Sequence, residues 1–145
     1  MKKNISIIIP TLNEKENINK LFYEIKKNLD NQNIIWEVIF VDDSEDNQTA
    51  NAINKLQNIE NNICLIKRFE NRGLSSALIQ GALSSNAEYV IFIDGDLQHP
   101  PSKIKNLYDE IRNKNLDIVS ASRFLERNEF LHQKRYRASL FVNYL

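Results

Sequence analysis

Asp94-Gly95-Asp96 sets two carboxylates two residues apart, directly after the apolar run at residues 89–93. A small residue between them lets both reach one hard cation. Mg2+ or Mn2+ takes such oxygen ligands and keeps water or substrate phosphate in its remaining positions. Gln98 offers a further carbonyl oxygen. An acidic pair alone also fits a solvated turn in which Asp96 or Gln98 caps locally. Its place at the end of an apolar run, followed by Gln98 and Pro100-Pro101, favours the metal.

Asp42-Asp43 ends the apolar run at residues 36–41 in the same way. A carboxylate there suits a ribose hydroxyl or a base N–H. It equally suits a helix N-cap, as do Ser44, Asp46 and Asn47. Pro10-Thr11-Leu12-Asn13-Glu14 closes the run at residues 5–9. Alone it reads as punctuation plus an acid that favours a helix N-terminus. Beside the other loops it reads as a nucleotide-contacting segment. Arg123, after the run at 117–121, has the guanidinium geometry that clamps a diphosphate. Gly73-Leu74-Ser75-Ser76-Ala77 opens a helical stretch whose backbone N–H groups suit phosphate. His99 is read as a turn residue packed on Pro100 rather than a general base, and His132 as a surface residue. No G-x-G-x-x-G or G-x-x-x-x-G-K-S/T string occurs, so a dinucleotide or P-loop site is unsupported.

These loops need a frame. Five short runs, at residues 5–9, 36–41, 63–66, 89–93 and 117–121, are β-branched or aromatic and nearly continuous, as in strands covered on both faces. Helical patterns lie between them. Ile18, Leu21, Phe22, Ile25 and Leu29 share one helical face, and Ile104, Leu107, Tyr108 and Ile111 repeat the spacing. Residues 47–57, with Ala52, Ile53 and Leu56, and 74–84, with Ala77, Leu78, Ala82 and Leu83, form shorter helices. Strand–helix alternation predicts an α/β fold, a mostly parallel, doubly wound sheet with helices on both faces. Ligands of such sheets sit beyond the carboxyl ends of the strands. The acidic and basic residues above all follow strands and so converge on that edge.

The chain has 145 residues, enough for one domain that buries roughly 68–70% of its unfolded surface without disulfides. Its 19 Lys and Arg balance 19 Asp and Glu, so no global field points to nucleic acid. Cys64, the only cysteine, is read as a buried thiol in a reducing compartment. No run approaches the roughly 20 apolar residues of a membrane helix.

Together the strings PTLNE (10–14), VDDSED (41–46), RGLSSALIQG (72–81), DGDLQHPP (94–101) and SRF (122–124) resemble the family-2 glycosyltransferases. Within these they resemble the dolichol-phosphate mannosyltransferase-like, polyprenyl-phosphate glycosyltransferase group. DGDLQHPP is the most specific string. The resemblance implies a GT-A fold, a Rossmann-like nucleotide-sugar domain over residues 1–125. It implies that Pro10, Leu12, Glu14, Val41 and Asp43 line the nucleoside pocket. Asp94, Gly95, Asp96 and Gln98 would form the Mg2+ or Mn2+ site, with Asp94, Asp96 and Gln98 as ligands, and Arg123 would contact the diphosphate. Leu12 departs from the aromatic residue common at its position.

The reaction implied is inverting transfer from a UDP- or GDP-linked sugar to a polyprenyl phosphate, dolichyl or undecaprenyl. Asp94, Asp96 and Arg123 would carry the catalysis. Family members continue past the last run with an acceptor loop. Residues 126–145 are therefore expected to be a basic amphipathic helix, with Tyr136, Leu140 and Tyr144 on one face. That helix begins the acceptor or membrane-proximal part: it either lies in a membrane interface, setting the protein peripherally at the cytoplasmic face, or packs on further protein. The competing readings are a nucleotide-sugar-binding fragment without turnover, a phospho-receiver domain and a D-x-D phosphatase.

Overall fold

A computed structural model of the chain describes residues 2–121. Arg123, the string at 122–124 and the expected helix at 126–145 lie outside the described residues.

The described elements alternate as the hydrophobic pattern predicts. They run β1 (Ile5–Thr11), α1 (Lys15–Leu29), β2 (Trp36–Asp42), α2 (Gln48–Gln57), β3 (Ile63–Lys67), α3 (Leu74–Leu83) and β4 (Tyr89–Phe92). A 3-10 turn (Pro101–Lys103) then leads into α4 (Ile104–Asn113). All pairings are parallel, in the order β3-β2-β1-β4. A receiver domain has its first strand between the second and third. Here β1 lies between β2 and β4, as in a Rossmann-type half.

The register lines up Thr11 with Asp42 and Asp42 with Lys67, so the polar loops begin at one level. The order reverses between β1 and β4. That reversal is the switch point at which open α/β sheets bind ligands. The loops leaving it are residues 10–14 and 94–101.

One face of the sheet carries most of the core. Ile18, Leu21, Phe22, Ile25 and Leu29 of α1 pack there with Ile53 and Leu56 of α2 and Ile104 and Tyr108 of α4. The buried face of α2 also takes Thr49 and Ala50, while Ala52 sits half-buried at its margin. The opposite face holds a small cluster of Ile8, Ile39, Val41 and Ala77, covered by α3. Gly81 lets α3 lie this close, because a Cβ there would fall 2.3 Å from Ile8 Cγ2. Gly81 and Ala77 are the buried positions of α3; Leu83, expected on that face, is 82% exposed.

β1 and β2 are thus covered on both sides, whereas β3 and β4 are half-buried. Cys64, at the β3 edge, is half-buried rather than buried.

The expected strand at 117–121 does not form. A strand persists through ladder bonds to a neighbour. None of these residues pairs with β4, and Ile118 is 84% exposed. The apolar run alone does not supply those partners.

Candidate active site

Asp42 and Asp43 are consecutive in the sequence but held differently. Asp42 is fully buried. Its Oδ1 accepts bonds from Thr11 Oγ1 at 3.2 Å, Ser44 N–H at 3.1 Å and Ser44 Oγ at 2.5 Å. Lys67 Nζ reaches its Oδ2 at 2.9 Å and also donates to the carbonyls of Ser44 and Asp46. Asn13 N–H donates to Ser44 Oγ at 2.8 Å. Asp42 therefore braces the loops after β1 and β2 from beneath.

Asp43 faces the cleft above them. Arg68 grips its carboxylate with a fork: Nε donates to Oδ1 at 2.6 Å and a terminal N–H to Oδ2. Gly73 N–H adds a bond to Oδ2 at 2.8 Å. Burial pushes the Asp43 carboxyl up. The Arg68 and Gly73 hydrogen bonds, with the charges of Arg68 and Arg72, outweigh that and hold it below the usual carboxylate range.

The DxD segment occupies the other wall. Asp96 accepts from Gln98 twice, backbone N–H to Oδ1 at 2.9 Å and Nε2 to Oδ2 at 2.6 Å. Asp94 N–H donates to His99 Nδ1 at 3.2 Å. The same Nδ1 stands 3.5 Å from Asp94 Oδ2. His99 thus fastens the acidic turn. The turn is tight: Leu97 adopts φ 64°, a left-handed value that bulky residues seldom take. Its side chain packs on the main core as an anchor. Gly95 lies under the first loop, where a Cβ would stand 3.3 Å from Pro10 O and 3.4 Å from Glu14 Cγ.

These walls enclose one cleft of about 890 Å3. Of the residues singled out from sequence, Pro10, Leu12 and Glu14 line it, and so do Asp43, Asp94, Gly95 and Asp96. Val41 does not: its side chain is fully buried in the α3-side cluster. Gln98 lies beside the cleft, bound to Asp96. Arg123 lies outside the described residues.

Sequence reasoning passed over Lys67, Arg68 and Arg72. A signal existed for the first two. An acidic pair ends one strand and a basic pair ends the next, and parallel register sets such pairs side by side.

The donor set fits a small divalent ion. Asp94 and Asp96 supply two carboxylates, and Gln98, donating through Nε2, keeps Oε1 as a neutral oxygen. Among the described residues no cluster of three or more His, Cys, Asp or Glu occurs. Two carboxylates completed by phosphate and water are what Mg2+ accepts.

A parallel sheet with its polar loops gathered at the switch point is the architecture of a Rossmann-like domain that takes its ligand beyond the strand ends. The chain belongs to glycosyl transferase family 2, whose family model matches residues 6–144.

The dolichol-phosphate mannosyltransferase of Pyrococcus furiosus is 35% identical over 133 residues, 92% of this chain and 37% of that protein. That of Saccharomyces cerevisiae is 31% identical over 78% of this chain and 43% of its own length. An undecaprenyl-phosphate 4-deoxy-4-formamido-L-arabinose transferase of Proteus mirabilis is 31% identical over 96% of this chain and 42% of its own. The chain thus spans less than half the length of these relatives.

Among solved structures, a Pyrobaculum calidifontis mannosyltransferase in complex with GDP-Man and Mn2+ superposes with a TM-score of 0.64 at 23% identity. The match covers 77% of this chain and 33% of that one. Staphylococcus aureus TarS 1-349 in complex with UDP gives 0.65 at 23% identity, over 85% and 40%. These likenesses establish the GT-A-like fold. Family and sheet order together displace the phospho-receiver and phosphatase readings.

Proposed function

We propose that the cleft binds a nucleotide sugar with Mg2+ or Mn2+ on Asp94 and Asp96, and that the sugar is transferred with inversion to a polyprenyl phosphate. The observation that carries this reading is the meeting of Asp94 and Asp96 with Pro10, Leu12, Glu14 and Asp43 around one cleft. Two of the relatives are mannosyltransferases named for dolichol phosphate, and a third is named for undecaprenyl phosphate. Both GDP-Man with Mn2+ and UDP occur in similar structures, so both bases suit the fold.

The ion would supply Lewis-acid stabilisation of the departing nucleoside diphosphate. Asp94 and Asp96 would hold it, with Gln98 as the further oxygen ligand. Pro10, Leu12 and Glu14 line the nucleoside. Gly95 allows the two loops their close approach, and Arg123 is assigned to the diphosphate. A phosphate acceptor is already anionic and needs no strong base.

A lipid acceptor puts the protein at a membrane surface, peripheral at the cytoplasmic face, with residues 126–145 as its interfacial helix. No described helix is long and apolar enough to cross a membrane. No nucleic-acid partner is part of this reading.

The test is transfer. The chain is mixed with labelled nucleotide sugars, Mn2+ and detergent-dispersed polyprenyl phosphate, and organic-extractable label is counted. Label that depends on both Mn2+ and the lipid phosphate supports the reading. Label released only as free sugar refutes the acceptor assignment. Nucleotide-sugar binding without any transfer would support the alternative of a binding fragment.

A further inference from the structure

Arg68 is 5% exposed and uses its whole guanidinium. Besides the fork on Asp43, one terminal nitrogen donates to Asn71 O at 3.2 Å and Ser76 Oγ at 3.0 Å. The other donates to Gly73 O at 3.0 Å. The loop it spans is otherwise held by Ser76 Oγ, which donates to Asn71 O at 2.7 Å and Gly73 O at 3.0 Å, and by the Gly73 N–H bond to Asp43. Asn71 has φ 52° and Gly73 φ 128°, and residues 69–75 are exposed. Arg68 thus ties the acid after β2 to the carbonyls that precede α3, joining two sides of the cleft. Arg72, Gly73 and Leu74, which follow from that tie, line the cleft with Asp43.

Carboxylate oxygens accept about four hydrogen bonds in all. Asp43 receives two from Arg68 and one from Gly73, so Oδ1 keeps room for a donor from the nucleoside.

We propose that Arg68 is a positioning residue for nucleotide binding. It orients Asp43 toward the nucleoside and holds the 71–76 loop against the cleft, without touching the ligand itself. This rests on the nucleotide-sugar reading above. Lysine cannot reproduce the role, because a single ammonium does not make the planar fork.

The test is calorimetric titration of the full chain with UDP and with GDP, each with Mn2+. Wild type is compared with Arg68→Lys, Arg68→Met, Asp43→Asn and the Arg68→Met/Asp43→Asn double variant, with thermal melts as the fold control. The expected loss for Arg68→Met is about tenfold or more, the scale seen when an outer partner that orients a ligating group is removed. Arg68→Lys should recover part of it. The double variant should bind no worse than the weaker single variant, because Arg68 acts through Asp43. Losses that add, or Arg68 variants that bind as wild type does, overturn the assignment while leaving the nucleotide reading intact. If Arg68→Met does not fold, Arg68→Lys and Asp43→Asn decide: unchanged affinity in both refutes it. Failure of wild type to bind either nucleotide overturns the nucleotide reading and this role together.

Discussion

Asp43 shows how a neighbour sets what a carboxylate can do. Its lowered pKa makes a testable claim about stability. A carboxyl that ionises more readily when folded stabilises the fold above its unfolded pKa, about 3.9. That contribution disappears as pH falls below this value through the lower folded pKa. Urea midpoints of wild type and Asp43→Asn, followed from pH 7 to pH 2, should differ most above pH 4 and converge below it. A constant difference would mean that the Arg68 pair does not govern the titration.

Gly95 carries a second claim at this scale. Alanine there sets a methyl 3.3 Å from Pro10 O, which must give slightly, and 3.4 Å from Thr11 Cγ2 and Glu14 Cγ, at the edge of ordinary contact. Gly95→Ala should weaken metal-dependent nucleotide binding several-fold, and Gly95→Val should remove it, with melting temperatures nearly unchanged. Unaltered affinity in Gly95→Val would show that the approach of the two loops is unimportant.

Much of this site was legible in the residues themselves. The acids after β1, β2 and β4 were found because strand ends are readable and polar residues there are conspicuous. Arg68 was not, since a lone arginine reads as surface until its partner's register is known. Val41, expected in the pocket from its place in the string, packs instead with Ile8, Ile39 and Ala77 beneath α3, as its apolar character within a covered strand suits.

Among the elements, α3 shows what the hydrophobic pattern hides. The pattern marked Ala77, Leu78, Ala82 and Leu83; Ala77 is buried against the sheet and Leu78 packs at its margin, but the other buried position is Gly81, which the pattern passed over. Close helix–sheet approach selects for absent side chains, which hydrophobicity cannot register. Gly81→Ala inserts a methyl 2.3 Å from Ile8 Cγ2. Overpacking of this kind costs about 1–3 kcal/mol. The urea midpoint should fall accordingly with the denaturant slope unchanged; an unchanged midpoint would mean that α3 rides freely over the sheet. The helices of the main core were easier to read, because large apolar residues recur at 3–4-residue spacing: all five marked on α1 are buried, and on α4 Ile104 and Tyr108 are buried while Leu107 and Ile111 stay half-buried. The run at 117–121 failed as a strand since periodicity reports burial potential, not the presence of a pairing edge.

Over the whole molecule the sheet is unevenly supported. β1 and β2 pair on both sides and lie under helices on both faces, while β3 and β4 each have one neighbour among the described residues. Amide hydrogen exchange should therefore be slowest in β1 and β2 and faster in β4, where Phe92 is 50% exposed. Protection of β4 equal to that of β1 would mean that its outer edge is covered in solution. The fold's polarity matters more for function: strong pairing at the centre holds the ends of β1 and β2 still, and the loops of the switch point are mounted on them.

The central claim is that Asp94 and Asp96 recruit a divalent ion which makes the cleft a nucleotide site. Calorimetric titration of nucleotide sugars into wild type and Asp96→Ala, with and without Mn2+, tests it most directly. Binding by wild type that requires Mn2+, and that is lost in Asp96→Ala, is the expected result. Equal affinity with and without the metal, or full binding by Asp96→Ala, would contradict the account.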